Sequence, residues 1–237
     1  MARTDGRRNS ELRPTTITLG AQAYAEGSVM IETGMTRILC AVSVENSVPP
    51  FLRGSGKGWV TSEYAMLPRA THTRSQRETR PRGRTQEIQR LIGRSLRAVV
   101  DMDKLGERTL TVDCDVIQAD GGTRTASITG AYVALYQAFH TLVQRDELDH
   151  IPLTAAVAAT SVGIAEDDVL LDMCYEEDSQ AGGDFNIVMT DKGEFVEVQG
   201  TAEGKTFTQD QLNLVLSAAG EGINQLFDIQ QKVISGL

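Results

Sequence analysis

The chain has 237 residues, of which 41% are hydrophobic and 23% charged, and its formal net charge is −9. This length suits one or two domains and allows a sizeable core. The sequence contains no 18-residue apolar run, which excludes a membrane span, and its polar N-terminus has no apolar signal core.

The cysteines indicate a cellular compartment. Cys40, Cys114 and Cys174 are widely separated, and each lies in an apolar or strand-like stretch. This arrangement is typical of reduced, packed thiols, and it matches neither a disulfide framework nor a zinc site. We therefore expect a cytoplasmic protein.

The net charge hides a strong asymmetry. Residues 69–97 contain nine arginines and two glutamates, a balance of +7, whereas residues 100–237 hold seven basic and 24 acidic side chains, a balance of −17. A basic patch on an acidic body can attract and orient nucleic acid. Arginine, used here to the exclusion of lysine, favours planar recognition of phosphates or carboxylates. A solvated face or a subunit contact remains an alternative for the cluster.

The first third of the chain predicts antiparallel strands. Stretches rich in Thr, Val, Ile and Tyr, separated by Gly or Pro, cover residues 15–19, 28–33, 36–44 and 58–66. A hairpin turn at 32–36 would use Gly34 at positive φ.

A basic loop and two helices are predicted next. Residues 69–84 have almost no apolar content and predict an exposed, mobile loop. An apolar stripe of helical period predicts a helix over 85–103 with Thr85 as N-cap, which places Arg84 at its entrance. A strand over 109–117 then precedes a helix over 126–145.

The remainder predicts a second group of strands and a last helix. The strands cover 155–164, 169–175, 185–190 and 195–199, with turns at 166–168 and 191–193. A capping box that begins at Thr208 opens a helix running to about Ser235. This order predicts an α+β fold with helices packed on one face of strand-rich sheets, in a single domain over 1–237.

The turn Asp120-Gly-Gly-Thr-Arg-Thr-Ala-Ser127 is the most informative motif. It opens a helix, where unpaired N–H groups and the positive end of the dipole favour an anion. The two glycines allow close backbone approach, and Arg124 adds a fork of donors. We therefore interpret it as an oxyanion pocket, with a plain strand-to-helix turn as the alternative.

The loop 175–186 supplies an acidic counterpart. Asp178 and Asp184 lie six residues apart, and Gly182 and Gly183 let the chain curl between them. Two carboxylates brought together suit Mg²⁺ or Mn²⁺, which also borrow oxygens from a phosphate. An acidic surface loop is the alternative.

Together the two features suit chemistry between phosphates. Attack of one phosphate on another brings two anions together, so cations and N–H donors must offset their repulsion. An Arg/Gly/Thr pocket beside a metal-holding carboxylate pair supplies both, without a histidine base or a covalent nucleophile.

Several further stretches are informative when taken together: Arg3-x-Asp-Gly-Arg7, Glu11-Leu-Arg-Pro14, Gly58-Trp-Val-Thr-Ser-Glu-Tyr64, Met66-Leu-Pro-Arg-Ala-Thr-His-Thr-Arg74, Gly83-Arg-Thr-Gln-Glu-Ile-Gln-Arg-Leu-Ile-Gly-Arg94 and Val198-Gln-Gly-Thr-Ala-Glu-Gly204. With these stretches and the glycine turn, the chain resembles the bacterial ribonuclease PH family over essentially its full length. The Arg3–Arg7 stretch and the glycine turn are shared in looser form with exosome ring subunits and polynucleotide phosphorylase.

This resemblance implies the ribonuclease PH fold, which is ribosomal protein S5 domain 2-like, and a phosphorolytic 3′-to-5′ exoribonuclease. Inorganic phosphate, the co-substrate, would release nucleoside diphosphates from the 3′ ends of tRNA precursors. It further implies Mg²⁺ or Mn²⁺ as cofactor and a homohexamer built as a trimer of dimers.

The resemblance also assigns individual residues. Phosphate binding falls on Arg84, Gly122, Thr123 and Arg124. The catalytic and metal-binding carboxylates are Asp178 and Asp184, of which Asp184 is also a candidate general acid. The implied RNA contacts are Arg69, Arg74, Arg77 and Arg80, some of which could instead stabilise the ring.

Two other functions remain open at this point. An inactive, RNA-binding ring subunit of the exosome type would be expected to lack some of these arginines or aspartates, but all are present. A metal-dependent hydrolytic nuclease would use water, which needs no anion pocket.

Overall fold

The computed structural model describes residues 3–78, 80, 83–166, 168–202 and 206–237. Within these ranges the chain forms nine β-strands, five α-helices and a short 3₁₀ turn at Pro50–Leu52. None of the helices in the described ranges combines the length and apolar character that a bilayer crossing requires.

The first sheet has five strands in the spatial order β1-β2-β3-β5-β4. Neighbouring strands are antiparallel, except that β4 and β5 are parallel. Alternate side chains, such as Ile31, Cys40 and Val112, are fully buried on the face that carries the helices. The strands are β1 (Thr15–Leu19), β2 (Gly27–Thr33), β3 (Thr36–Glu45), β4 (Trp59–Met66) and β5 (Thr109–Gln118).

The second sheet is antiparallel, in the spatial order β7-β6-β8-β9. Its strands are β6 (Val157–Ala165), β7 (Asp168–Leu171), β8 (Gly183–Thr190) and β9 (Phe195–Ala202). All nine residues of β6 are buried.

The helices join the two sheets. They are α1 (Gly83–Arg97), α2 (Met102–Leu105), α3 (Thr123–Gln144), α4 (Tyr175–Asp178) and α5 (Gln209–Ile234). α1 packs on β4, α3 packs on β2, β3 and β6, and α5 packs mainly on β6. Val157 and Ala159 of β6 belong to the same apolar cluster as α3, whereas Ala158 and Val162 pack with α5. β6 is therefore covered on both faces, and α3 lies between the sheets.

Most predicted elements are confirmed. Gly34 has a φ of +56° in the β2–β3 turn, and the Thr208–Gln211 capping box opens α5. The predicted α+β class is also confirmed, but the helices, predicted on one face of the sheets, cover both faces of the second sheet. The single domain over 1–237 stays a prediction.

Four local predictions were wrong. The strand over 58–66 was predicted as one of a run of antiparallel strands, but β4 pairs in parallel with β5, a strand that follows it by more than 40 residues. The helix predicted over 85–103 ends at Arg97, because the backbone at Val99–Asp101 bonds instead to residues 152–154. Thr85 is not an N-cap, since α1 already begins at Gly83; its hydroxyl donates to Glu78. The strand predicted over 169–175 stops at Leu171, and Tyr175 begins α4.

Candidate active site

The glycine turn connects β5 to α3 in left-handed backbone conformations. Gly121 has φ +76° and Gly122 φ +63°, values that other residues adopt at a cost. Thr36 holds the turn: its hydroxyl accepts from the Asp120 N–H at 2.9 Å and donates to the Gly121 carbonyl at 2.8 Å. The first N–H groups of α3 lie directly after this turn, where helix geometry leaves them without intrahelical partners.

Gly121 is also the point where the turn contacts the acidic loop. A Cβ added at Gly121 would lie 2.7 Å from the carbonyl oxygen of Met173 and 2.9 Å from the carbonyl carbon of Cys174. In addition, the Tyr175 N–H donates to Asp120 Oδ1 at 3.2 Å. The turn therefore lies directly against the N-terminus of α4, the helix that ends with Asp178.

Arg124 is held by side chains from two other elements. Its Nη1 donates to Gln199 Oε1 at 2.7 Å and to Glu87 Oε1 at 3.3 Å. Gln199 in turn donates to Glu87 at 3.0 Å. These contacts fix the guanidinium of Arg124, whose side chain is 17% exposed, between α1 and β9.

Thr123 contacts a buried tyrosine. Its hydroxyl lies 2.9 Å from the Tyr64 hydroxyl. Burial raises the pKa of Tyr64, against smaller opposing effects of the Thr123 hydrogen bond and of Arg84 and Arg124. The tyrosine is thus a neutral hydroxyl beside the first residue of α3.

The charges of the two predicted phosphate arginines act on the two predicted carboxylates. Burial raises the pKa of Asp178, while Arg84 and Arg124 oppose the shift. Burial and the neighbouring Asp178 raise the pKa of Asp184, and Arg124, Asn186 and Arg84 oppose it. Since all four groups interact electrostatically, the structure brings together residues from α1, α3, α4 and β8.

Asp178 and Asp184 offer two carboxylates to a metal ion. Over the described ranges, no group of three or more His, Cys, Asp or Glu side chains is placed to hold one. Water and phosphate oxygens would have to complete the coordination shell. That partial set fits Mg²⁺, which usually keeps several waters.

The arginines predicted to contact RNA lie in the loop between β4 and α1. Arg69, Arg74, Arg77 and Arg80 are all exposed. Buried Ala70 anchors the loop, since it hydrogen-bonds Leu67 and Ala119. Arg82, which belongs to the predicted basic cluster, lies outside the described residues.

Several residues around the site had no predicted role. Tyr64, Gln199 and Asn186 contact predicted site residues, but single polar residues in strands carry no sequence signal of such contacts. Arg3 and Arg13 also approach the site, where they pair with Glu177 and Asp172. The sequence carries no chemical signal of these two pairs, because the partners are far apart in the chain.

Comparisons of fold place the chain in a class. The rice protein Rrp46 superposes with a TM-score of 0.80 at 18% identity, covering 98% of this chain and 100% of that one. A chain of the Archaeoglobus fulgidus exosome with RNA bound to the active site gives a TM-score of 0.81 at 22% identity, covering 97% and 92%. The chain thus has the fold of these two proteins.

Sequence comparisons define the family. The models of the 3′ exoribonuclease family match at residues 11–139 for domain 1 and 155–222 for domain 2. Proteins named ribonuclease PH from two strains of Dehalococcoides mccartyi are 61% identical, and one from a third strain is 60% identical, each over 98% of this chain and at least 98% of the relative. The chain belongs to the ribonuclease PH family, and the predicted phosphorolytic 3′-to-5′ exoribonuclease is confirmed.

Proposed function

We propose that this chain trims the 3′ ends of tRNA precursors, with inorganic phosphate held by Arg84, Gly122, Thr123 and Arg124. The observation that carries the assignment is the contact between the glycine turn and α4. Because Gly121 lies against Met173 and Cys174, a phosphate bound at the turn would lie beside Asp178.

The groups of the pocket match the needs of the anion. N–H groups at the start of α3 supply oriented donors, and the Arg124 fork adds two more. Contacts with Glu87 and Gln199 hold that fork before substrate arrives. Arg84 is exposed and supplies a second cation from the first turn of α1.

The reaction exchanges one phosphorus–oxygen bond for another. An oxygen of the bound phosphate attacks the last phosphodiester, and the bond to the 3′ oxygen of the preceding nucleotide breaks. The products are a nucleoside diphosphate and an RNA shortened by one residue. Arg84 and Arg124 offset the repulsion between the two anions, which forms much of the barrier.

Asp178 and Asp184 are the proposed ligands of Mg²⁺ or Mn²⁺, which would supply positive charge to the phosphate oxygens. The family resemblance supports a second role for Asp184, donation of a proton to the leaving 3′ oxygen. Asn186 Nδ2 lies 3.4 Å from Asp184 Oδ2, so it also contacts this carboxyl.

The exposed arginines of the β4–α1 loop are the proposed contacts to the body of the tRNA. The loop leads directly into α1, whose second residue is Arg84, so RNA held by the loop approaches the site. The family resemblance supports a homohexamer arranged as a trimer of dimers. Light scattering should then give about six times the chain mass of 25.7 kDa.

The three cysteines support the proposed cytoplasmic location. Cys40, Cys114 and Cys174 are free and buried. Free thiols are typical of reducing compartments.

Omission of phosphate tests the proposed chemistry. The protein is incubated with a tRNA precursor and Mg²⁺, with and without inorganic phosphate, and the released nucleotides are identified. We expect nucleoside diphosphates, and release that depends on phosphate. Phosphate-independent release of nucleoside monophosphates would indicate hydrolysis, and no release at all would favour the inactive RNA-binding subunit.

A further inference from the structure

The segment before β1 contains a buried ionic network next to the site. Arg13 and Asp172 have side chains that are 3% and 5% exposed. Arg13 Nη2 lies 2.6 Å from Asp172 Oδ1, and its Nε donates to Oδ2 at 3.0 Å. The backbone N–H of Arg13 also donates to Oδ2, at 2.8 Å. This pair is therefore held by three hydrogen bonds.

The other side of the Arg13 guanidinium contacts the glycine turn. Its Nη1 donates to the carbonyl oxygen of Asp120 at 2.5 Å. A Cβ added at Gly122 would lie 2.8 Å from Arg13 Nη2, so the guanidinium is packed against the turn. Asp172 has a φ of +51°, a strained conformation for a residue with a side chain, which the surrounding contacts maintain. Arg13 thus ties the turn to a fixed point after β7.

A second pair holds α4. Arg3 donates to Glu177 through Nε and Nη2, both at 2.7 Å. This bidentate pair fixes the relative orientation of the two side chains. Arg3 also bonds the carbonyl oxygen of Leu171 at 2.8 Å. Glu177 accepts from the Cys174 N–H at 3.0 Å and directly precedes Asp178. The orientation of this short helix is therefore set by Arg3.

Arg7 lies between the two pairs. Its guanidinium is 3.9 Å from Asp172 and 3.7 Å from Glu177, and it donates to the carbonyl oxygen of Glu11 at 2.8 Å. One N-terminal segment thus contacts both halves of the active site.

We propose that Arg13–Asp172 and Arg3–Glu177 are two positioning pairs with separate tasks. Arg13–Asp172 aligns the N–H groups of the glycine turn with phosphate. Arg3–Glu177 aligns Asp178 with the metal ion and the RNA end. The inference rests on the proposed functions of the glycine turn and of Asp178. None of the four residues contacts a reacting atom.

Steady-state kinetics with a tRNA precursor separate the two tasks. Each change keeps either the charge or the shape of the side chain: Arg13→Lys retains the positive charge, whereas Glu177→Gln retains the shape and removes the anion that pairs with Arg3. Arg13→Lys should raise the KM for phosphate on the order of tenfold and leave the Mg²⁺ requirement unchanged. Glu177→Gln should lower kcat on the order of tenfold and raise the Mg²⁺ concentration for half-maximal rate, with an unchanged KM for phosphate.

Arg8→Gln is the matched control. Arg8 lies in the same segment, but its side chain is 81% exposed and pairs with Glu11 at the surface. Its kinetic constants should equal those of the unmodified protein. Light scattering and thermal melts show that each variant is folded and assembled. Asp172→Asn repeats the test of the first pair if Arg13→Lys does not fold.

A purely structural role predicts other outcomes. Lower melting temperatures with unchanged kinetic constants would overturn the inference. Equal effects of Arg13→Lys and Glu177→Gln on every kinetic constant would also overturn it, as would failure of both Arg13→Lys and Asp172→Asn to fold. Arg124→Ala separates this inference from the proposed function. If Arg124→Ala raises the KM for phosphate and Arg13→Lys does not, the inference alone fails. If Arg124→Ala has no effect either, the turn is not the phosphate site.

Discussion

Replacement of Gly121 by alanine is the sharpest single test of the contact between the glycine turn and α4. Gly121 has a φ of +76°, which costs an L-residue roughly 1–2 kcal/mol. The new Cβ would also lie 2.7 Å from the Met173 carbonyl oxygen, a backbone atom that cannot rotate away. Relief to an ordinary contact of 3.4 Å requires a relative displacement of about 0.7 Å between the turn and α4.

That displacement should affect catalysis more than stability. A misplacement of about 1 Å can cost roughly a hundredfold in rate, so we expect kcat/KM for the tRNA precursor to fall by about that factor. Stability should fall by about 2 kcal/mol, as measured by urea unfolding, which leaves the protein folded at 25 °C.

Gly193→Ala is the matched control. Gly193 has a similar φ of +78°, but a Cβ there would meet no atom within 4 Å. It should lose about 1–2 kcal/mol of stability from backbone strain and keep its activity. Equal activity of the two variants would refute the reasoning that this close contact aligns the site.

Three further results are expected. Asp184→Asn should lower the rate by about a hundredfold or more, because it removes a proposed metal ligand and proton donor. A rate within tenfold of that of the unmodified protein in single-turnover assays would contradict both roles. Neutralising Arg74 and Arg77 should weaken RNA binding and reduce the slope of log K against log salt by about 0.7–0.9 for each RNA phosphate that is no longer neutralised. The control Arg145→Gln, at the distant end of α3, should leave both the affinity and the slope unchanged. An unchanged slope in the Arg74 and Arg77 variants would assign the loop to assembly. Burial alone would raise the pKa of Glu177, but the Arg3 and Cys174 hydrogen bonds lower it below its ordinary value of 4.5. The protein therefore gains stability from Glu177 above pH 4.5 and loses it as the pH falls through the lower pKa of the folded state. Glu177→Gln should flatten the acid limb of the curve of unfolding free energy against pH. Parallel curves for the variant and the unmodified protein would contradict this.

Local patterns predicted most of the fold. Alternating apolar residues and glycine turns predicted the positions of β1 to β5, because each of these patterns is local to its own stretch of chain. The errors came from distant contacts. Val99 and Val100 continue the apolar period of α1, but their backbone pairs with residues 152–154, which no local pattern records.

The site was predicted in part, for a similar reason. The glycine turn and the two aspartates carry chemistry that composition and spacing indicate. Arg13 and Asp172, by contrast, are 159 residues apart, and Arg3 and Glu177 are 174 apart. An arginine far from its partner is indistinguishable in the sequence from a solvated one. Their pairing became apparent once the fold had brought the partners together.

The fate of labelled phosphate tests the central claim most directly. The protein is incubated with an unlabelled tRNA precursor, Mg²⁺ and inorganic phosphate labelled with ³³P, and the nucleotides are separated by chromatography. If phosphate bound by Arg124 and the glycine turn is the nucleophile, the label will appear in the β-phosphate of nucleoside diphosphates, and Arg124→Ala will abolish this transfer at low phosphate. Label that stays in inorganic phosphate while the RNA is shortened, or transfer unaffected by Arg124→Ala, would contradict the account.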